Sequence, residues 1–187
     1  MFMEYELRRS RRKTLAVYAD KEGRLIVRAP YSVTDREIER FLEIREKDIQ
    51  IYLEKQMEKR KSLEDVRVLS DEEILRLKEN AAKVITQRVV TLSERLGISY
   101  GRIGIRLQKT RWGSCSAKGN LSFNAVISIM PEEIMDYVII HELCHRIEMN
   151  HSGRFWSLIG DAIPDYRDKR KWLKENGDRY MRMVNLR

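Results

Sequence analysis

The three histidines of the chain, His141, His145 and His151, fall within eleven consecutive positions. Two of them frame His141-Glu142-Leu143-Cys144-His145, the pattern H-E-x-x-H. On a helix, at about 100° per residue, positions 141 and 145 lie roughly 40° apart and one turn above each other, so two imidazoles can ligate one ion. Glu142 is swung about 100° away and is placed to reach a water on the ion rather than the ion itself. His151, six residues past His145, would point about 240° around an unbroken helix, so the helix must stop before it. Met149-Asn150 and Ser152-Gly153 supply a stop, since Asn tolerates the left-handed region and Ser-Gly favours a turn or a new helix start.

Three nitrogen ligands leave the fourth tetrahedral position of Zn2+ open, which is the arrangement of catalytic rather than structural sites. Three imidazoles without a carboxylate do not match the two-histidine, one-carboxylate iron triad, so zinc is the expected ion. Such an ion acidifies water and polarises a carbonyl, and Glu142 is placed to act as general base. An isolated H-E-x-x-H also arises by chance in ordinary helices. Here the helix has a proper start, its residues Ile134, Met135, Val138 and Ile139 give it a buried face, and the remaining histidine arrives where a third ligand is needed. Cys144 reads as a small buried filler, and Cys115 has no evident base beside it. Trp112, Phe155 and Trp156 read as core or cleft wall, and Tyr166 as a candidate oxyanion donor.

The elements that must carry these residues follow from punctuation and periodicity. Pro131-Glu132-Glu133 starts a helix expected to run to about Glu148, Ser152 caps another through Ala162, and Tyr166–Glu175 forms a last helix with Gly177 after it. Upstream, Ser70-Asp71-Glu72-Glu73 is a capping box opening a helix that Gly97 stops. Ile103–Leu107 and Leu121–Met130 read as strands of a meander, with Arg111–Ser116 irregular and Lys118-Gly119-Asn120 a turn. If Leu121–Met130 forms a sheet edge along the cleft, an extended peptide can add to it as a further strand. Nearer the start, Thr14–Asp20 and Arg24–Ala29 form a hairpin around Asp20-Lys21-Glu22-Gly23, and the basic run Arg8–Lys13 reads as an exposed strand face. Thr34-Asp35-Arg36-Glu37 then caps one amphipathic helix carrying Ile38, Phe41, Leu42, Ile49, Tyr52, Leu53 and Met57. The polar, basic Glu58–Ser62 stretch divides an N-terminal hairpin-plus-helix subdomain, 1–62, from the domain at 63–187.

A chain of 187 residues, 42% apolar and 35% charged, can close one core with a smaller appended piece, which excludes disordered and collagen-like classes. No apolar stretch approaches the roughly 18–20 residues of a bilayer span, and no apolar run follows the charged start, so the expectation is a soluble chain without signal peptide. Two cysteines without a C-x-x-C pair fit a reducing cytoplasm. The net charge of +8 raises the question of a polyanion, but Lys and Arg are scattered along the chain, as on a well-solvated surface.

The joint motifs Arg111-Trp112-Gly113-Ser114-Cys115-Ser116, Gly119-Asn120-Leu121-Ser122-Phe123-Asn124, His141–His145 through Asn150-His151-Ser152, and Phe155-Trp156 resemble the YgjP-like metallopeptidase family. The resemblance extends to Arg11-Arg12-Lys13-Thr14 and Val27-Arg28-Ala29-Pro30. It implies an α+β, zincin-like fold with a small twisted β-sheet packed on the active-site helix. It also implies zinc on His141, His145 and His151, Glu142 as general base, and peptide or protein substrates; Trp112, Asn124 and Tyr166 are candidate substrate-binding residues. Kinship with SprT-like proteases, which act on DNA-attached proteins, adds weak DNA association through the basic surface as an alternative. The chain departs from metzincins in carrying Glu148 where they place Gly, and from gluzincins in its third ligand.

Overall fold

The computed structural model describes residues 4–20 and 22–184. The chain divides into two compact units, Met1–Asp65 and Val66–Arg187. No helix among the described residues is long and apolar enough to cross a membrane.

In the first unit, strands β1 (Tyr5–Ser10), β2 (Ala16–Ala19) and β3 (Leu25–Pro30) form a sheet of order β1-β3-β2. β2 and β3 make the expected hairpin, with Val17 opposite Val27 and Gly23 at φ 84°; Lys21 lies outside the described residues. The basic run is strand only as far as Ser10, and β1 lies parallel to β3 with Leu7 opposite Val27. Two helices replace the one expected, α1 (Asp35–Ile44) and α2 (Glu46–Glu64). The break is at Arg45, whose ψ of 12° leaves the helical range, and the restart carries Glu46 and Asp48 in its first turn, where the helix dipole favours them. Leu25, Val27, Ile38, Leu42 and Ile49 close this unit's own core.

The second unit opens with α3 (Asp71–Leu96), held at its start by the reciprocal Ser70–Glu73 capping box and at its end by Gly97 at φ 64°. Its residues Leu77, Ala81, Ile85, Val89 and Leu92 recur at helical spacing and are buried. Strands β4 (Ile103–Arg106), β5 (Gly113–Cys115) and β6 (Leu121–Asn124) pair in the order β4-β6-β5, with β4 parallel and β5 antiparallel to β6. The expected meander is thus corrected. Part of the irregular segment is a strand, and β6 is central, not an edge. β6 also ends at Asn124, six residues early, because the Asn124 Oδ1 accepts from the Val126 amide and starts a 3-10 turn over Ala125–Ile129. Ala125, Val126 and Ile127 are all buried, which a strand exposed on one face would not allow.

Helix α4 (Glu132–Cys144) follows Pro131 and stops four residues short of Glu148. Helix α5 (Gly153–Ala162) starts on Ser152, and α6 (Tyr166–Met183) runs straight through Gly177. Gly177 does not end the helix; a Cβ built there would lie 2.6 Å from the Trp112 ring, so the glycine marks a close approach. α4 is buried nearly all round, as a central helix must be, among Phe123, Ile127, Phe155 and Ile159.

One polar clamp ties α4 to α3. Arg88 donates from Nε and Nη2 to the two Asp136 oxygens, both at 2.6 Å, and its Nη2 also lies 2.7 Å from Glu132. Asp136→Ala is expected to cost about 1–2 kcal/mol, since Glu132 remains as a partial partner. Thermal unfolding checks this: a melting temperature lower by a few degrees is expected, and an unchanged one would show that the clamp contributes nothing.

Candidate metal centre

The end of α4 determines the site. Ile147 and Glu148 both donate backbone N–H to the Cys144 carbonyl at 3.0 Å, which closes the helix with His145, its C-cap, still in the helical region. The chain then turns at Asn150, whose carbonyl accepts from the Ser152 amide at 2.8 Å, and Ser152 Oγ accepts from Phe155 to begin α5. His151 is thereby returned across the helix end. Its Nε2 lies 2.9 Å from the His141 Nε2, and one ligand atom from each of the three histidines fits within 4.8 Å of the others.

Phe155, at the first turn of α5, floors the cluster, with ring centroids 4.9, 4.5 and 4.8 Å from His141, His145 and His151. Beside it, Trp156 stacks on His151 at 5.7 Å and on Tyr166 at 5.5 Å, and the Arg170 guanidinium lies 4.8 Å over the Trp156 ring.

These surroundings favour the neutral form of His141 and His151. Burial pushes His141 down to about 3, helped by the neighbouring His145 and His151 and by Arg170. Burial also lowers His151, again with His145 and Arg170. The His145 Nδ1 sits 3.1 Å from the Glu148 carbonyl; a carbonyl can only accept, so Nδ1 is the donor there and Nε2 is the nitrogen left to serve as a ligand. His141 Nδ1 is buried without a hydrogen-bond partner among the described residues. The Nε2 atoms of His141 and His151 face each other at 2.9 Å. Ligands about 2.0–2.1 Å from a tetrahedral ion are about 3.3 Å apart, within the spread seen here. Three imidazole nitrogens at this spacing therefore fit one first-row divalent ion.

Glu142 is 6% exposed, and burial pushes its carboxyl up to about 7 against the opposing charge of Arg111. Room for it comes from Gly113 on β5, where a Cβ would lie 2.6 Å from the Glu142 Cγ. Cys144 is buried and pushed up to about 11, which keeps it a thiol filler. Cys115 is raised by burial and by Glu142, with Arg146 opposing, so nothing here makes it a ready thiolate.

The candidate substrate-binding residues fare differently. Tyr166 flanks the centre through its stack on Trp156. Asn124 does not face the site: it is 1% exposed, and its Nδ2 donates to the Gln108 and Arg111 carbonyls, bracing the loop before β5. Trp112 is likewise taken up in packing on Gly177. Sequence reasoning missed Gly113, Arg111 and Arg170 as neighbours of the centre. Arg170 had a signal, since it lies four residues after Tyr166 and so on the same helical face.

The YgjP-like metallopeptidase domain matches residues 74–176, more than half of the chain. The chain belongs to the YgjP-like metallopeptidase family. That match takes in α4, the loop to His151, α5 and most of the sheet's surroundings. Among solved structures, the family member is similar to the metallopeptidase zymogen abylysin of Pyrococcus abyssi, with 24% identity over 48% of this chain and 93% of that one, at a TM-score of 0.44. It is also similar to the zymogen jannalysin of Methanocaldococcus jannaschii, with 25% identity over 49% and 95%, at a TM-score of 0.44. No curated protein matches the chain.

Isothermal titration with Zn2+ or Co2+ at neutral pH is expected to give one equivalent bound per chain. Replacing any one of His141, His145 or His151 by Ala should weaken that binding at least about 100-fold. Unchanged affinity in His151→Ala would remove the third ligand.

Proposed function

We propose that this YgjP-like protein is a zinc-dependent peptidase in which His141, His145 and His151 hold Zn2+ and Glu142 is the general base. The observation that carries the proposal is the convergence of three imidazoles beside a buried carboxylate, in a chain of a metallopeptidase family. A donor set of three nitrogens, with the nearby Cys144 thiol kept protonated by burial, suits zinc better than a thiolate-preferring ion. When bound, the ion supplies Lewis acidity for the scissile carbonyl and lowers the pKa of water.

The remaining work falls to the chain. Glu142 takes the proton of the attacking water on a carboxylate oxygen and gives it to the departing amide nitrogen. Gly113 leaves the space that lets this carboxyl stand beside the histidines. Phe155 and Trp156 wall one side of the centre, and the guanidinium of the exposed Arg170 lies over the Trp156 ring. The outer side of β5, the sheet edge next to Glu142, offers unpaired strand hydrogen bonds to an extended peptide, a role the sequence reading gave to the central strand. The unpaired Cys115 and Cys144 fit a reducing compartment, and we assign the protein to the cytoplasm on that ground.

The test pairs zinc analysis with cleavage of casein and a peptide library by wild type and Glu142→Gln. Both proteins should carry one zinc, and kcat/KM should fall by about 10²–10⁴ in the variant. Equal turnover would take Glu142 out of the mechanism, and cleavage by zinc-free protein would end the metal reading.

A further inference from the structure

The sheet face opposite the core carries a groove of about 940 Å³ across all three strands of β4-β6-β5. Its floor is a cross-strand row of the smallest side chains available, Gly104, Ser122 and Ser114, each opposite the next in register. Arg102 and Arg106, two residues to either side of Gly104 on the same face of β4, stand at its rim, and Arg111 closes the end near β5. No acidic side chain lines it among the described residues, and neither Arg102 nor Arg106 has a carboxylate partner there. The Ser122 Oγ in its floor is buried without a hydrogen-bond partner among the described residues.

A trough with a small-residue floor, an arginine rim and no acidic side chain in its lining suits anionic groups that accept hydrogen bonds. Its position says which anion. The floor row ends on β5, and on the other face of that three-residue strand Gly113 meets Glu142. Arg111 both lines the trough and acts electrostatically on Glu142. A polypeptide paired along the outer edge of β5 passes the end of that three-residue strand, from where its next residues can enter the trough while the first part stays at the metal centre.

We infer that the trough selects substrates, binding an acidic stretch of the polypeptide whose neighbouring residues reach the metal centre. The inference rests on the peptidase reading above. Carboxylates of the stretch pair with Arg102 and Arg106. Long guanidinium side chains over a glycine and two serines leave room for Asp and Glu alike, so the preference is for charge density rather than for one residue.

The test measures fluorescence anisotropy of two labelled peptides of equal length and identical centre, one flanked by Glu and its twin by Gln, on full-length zinc-loaded Glu142→Gln protein. The Glu peptide should bind at least tenfold tighter than the Gln twin, with a preference that shrinks as salt rises. In Arg102→Ala/Arg106→Ala the ratio should fall to about one, and in Arg102→Lys/Arg106→Lys it should largely return. Gly104→Glu is a second, independent variant: its backbone is not left-handed and a Cβ there meets nothing closer than 3.9 Å, so it folds while placing a carboxylate on the trough floor. It too should abolish the preference. Equal binding of the twins, or a preference indifferent to all three variants, overturns the inference. So does a labelled oligothymidylate that binds tighter than the Glu peptide with the same arginine dependence, since the trough would then serve nucleic acid. Cleavage by wild type is scored separately: arginine-dependent preference without any cleavage keeps the trough and defeats the peptidase reading, whereas cleavage of both twins at one rate by wild type keeps the peptidase and defeats the trough.

Discussion

Two imidazoles one turn apart on a helix make half a metal site, and a third donor can join them only if the helix ends at once. The site depends on that termination. α4 closes at Cys144, the Cys144 carbonyl takes two amides from the turn, and the chain reverses at Asn150 so that His151 Nε2 comes within 2.9 Å of His141 Nε2. The same turn places the Glu148 carbonyl against His145 Nδ1 and so orients the second ring. Had α4 run on to Glu148, His145 would lack this partner and His151 would be carried away from the cluster.

The remainder of the unit fixes this arrangement, with His145 buried and His151 open to solvent. α4 is buried on nearly all sides, Phe155 contacts all three rings, and the Arg88–Asp136 pair anchors the helix to α3. Burial serves the chemistry in two ways. It favours the uncharged form of His141 and His151, which suits the proposed cation, and it raises the carboxyl of Glu142, which makes that group a stronger base than an exposed glutamate. The sheet contributes through absences of side-chain bulk: Gly113 makes room for Glu142 on one face, and Gly104 opens the arginine-rimmed trough on the other.

Much of this was legible in residue order because it is local. The capping boxes at Thr34 and Ser70, the stop at Gly97 and the spacing of His141, His145 and His151 each depend on a few adjacent residues, and each element formed where those residues indicated. What was not legible depends on partners distant in sequence. The apolar run after Leu121 looks like a strand to its end, and only the buried amide of Asn124, held by Gln108 and Arg111, turns it into a 3-10 segment. Gly177 has the form of a helix stop, yet it is a contact surface for Trp112, 65 residues earlier in the chain. Strand order was hidden for the same reason: a three-residue strand at Gly113–Cys115 has too short a pattern to declare itself before it pairs.

X-ray absorption at the zinc K-edge of the full-length, zinc-loaded protein reads the first coordination shell directly. The account predicts nitrogen and oxygen scatterers alone at about 2.0–2.1 Å, with the multiple-scattering pattern of three imidazoles. A sulfur shell at about 2.3 Å, or the pattern of only two imidazoles, would contradict it.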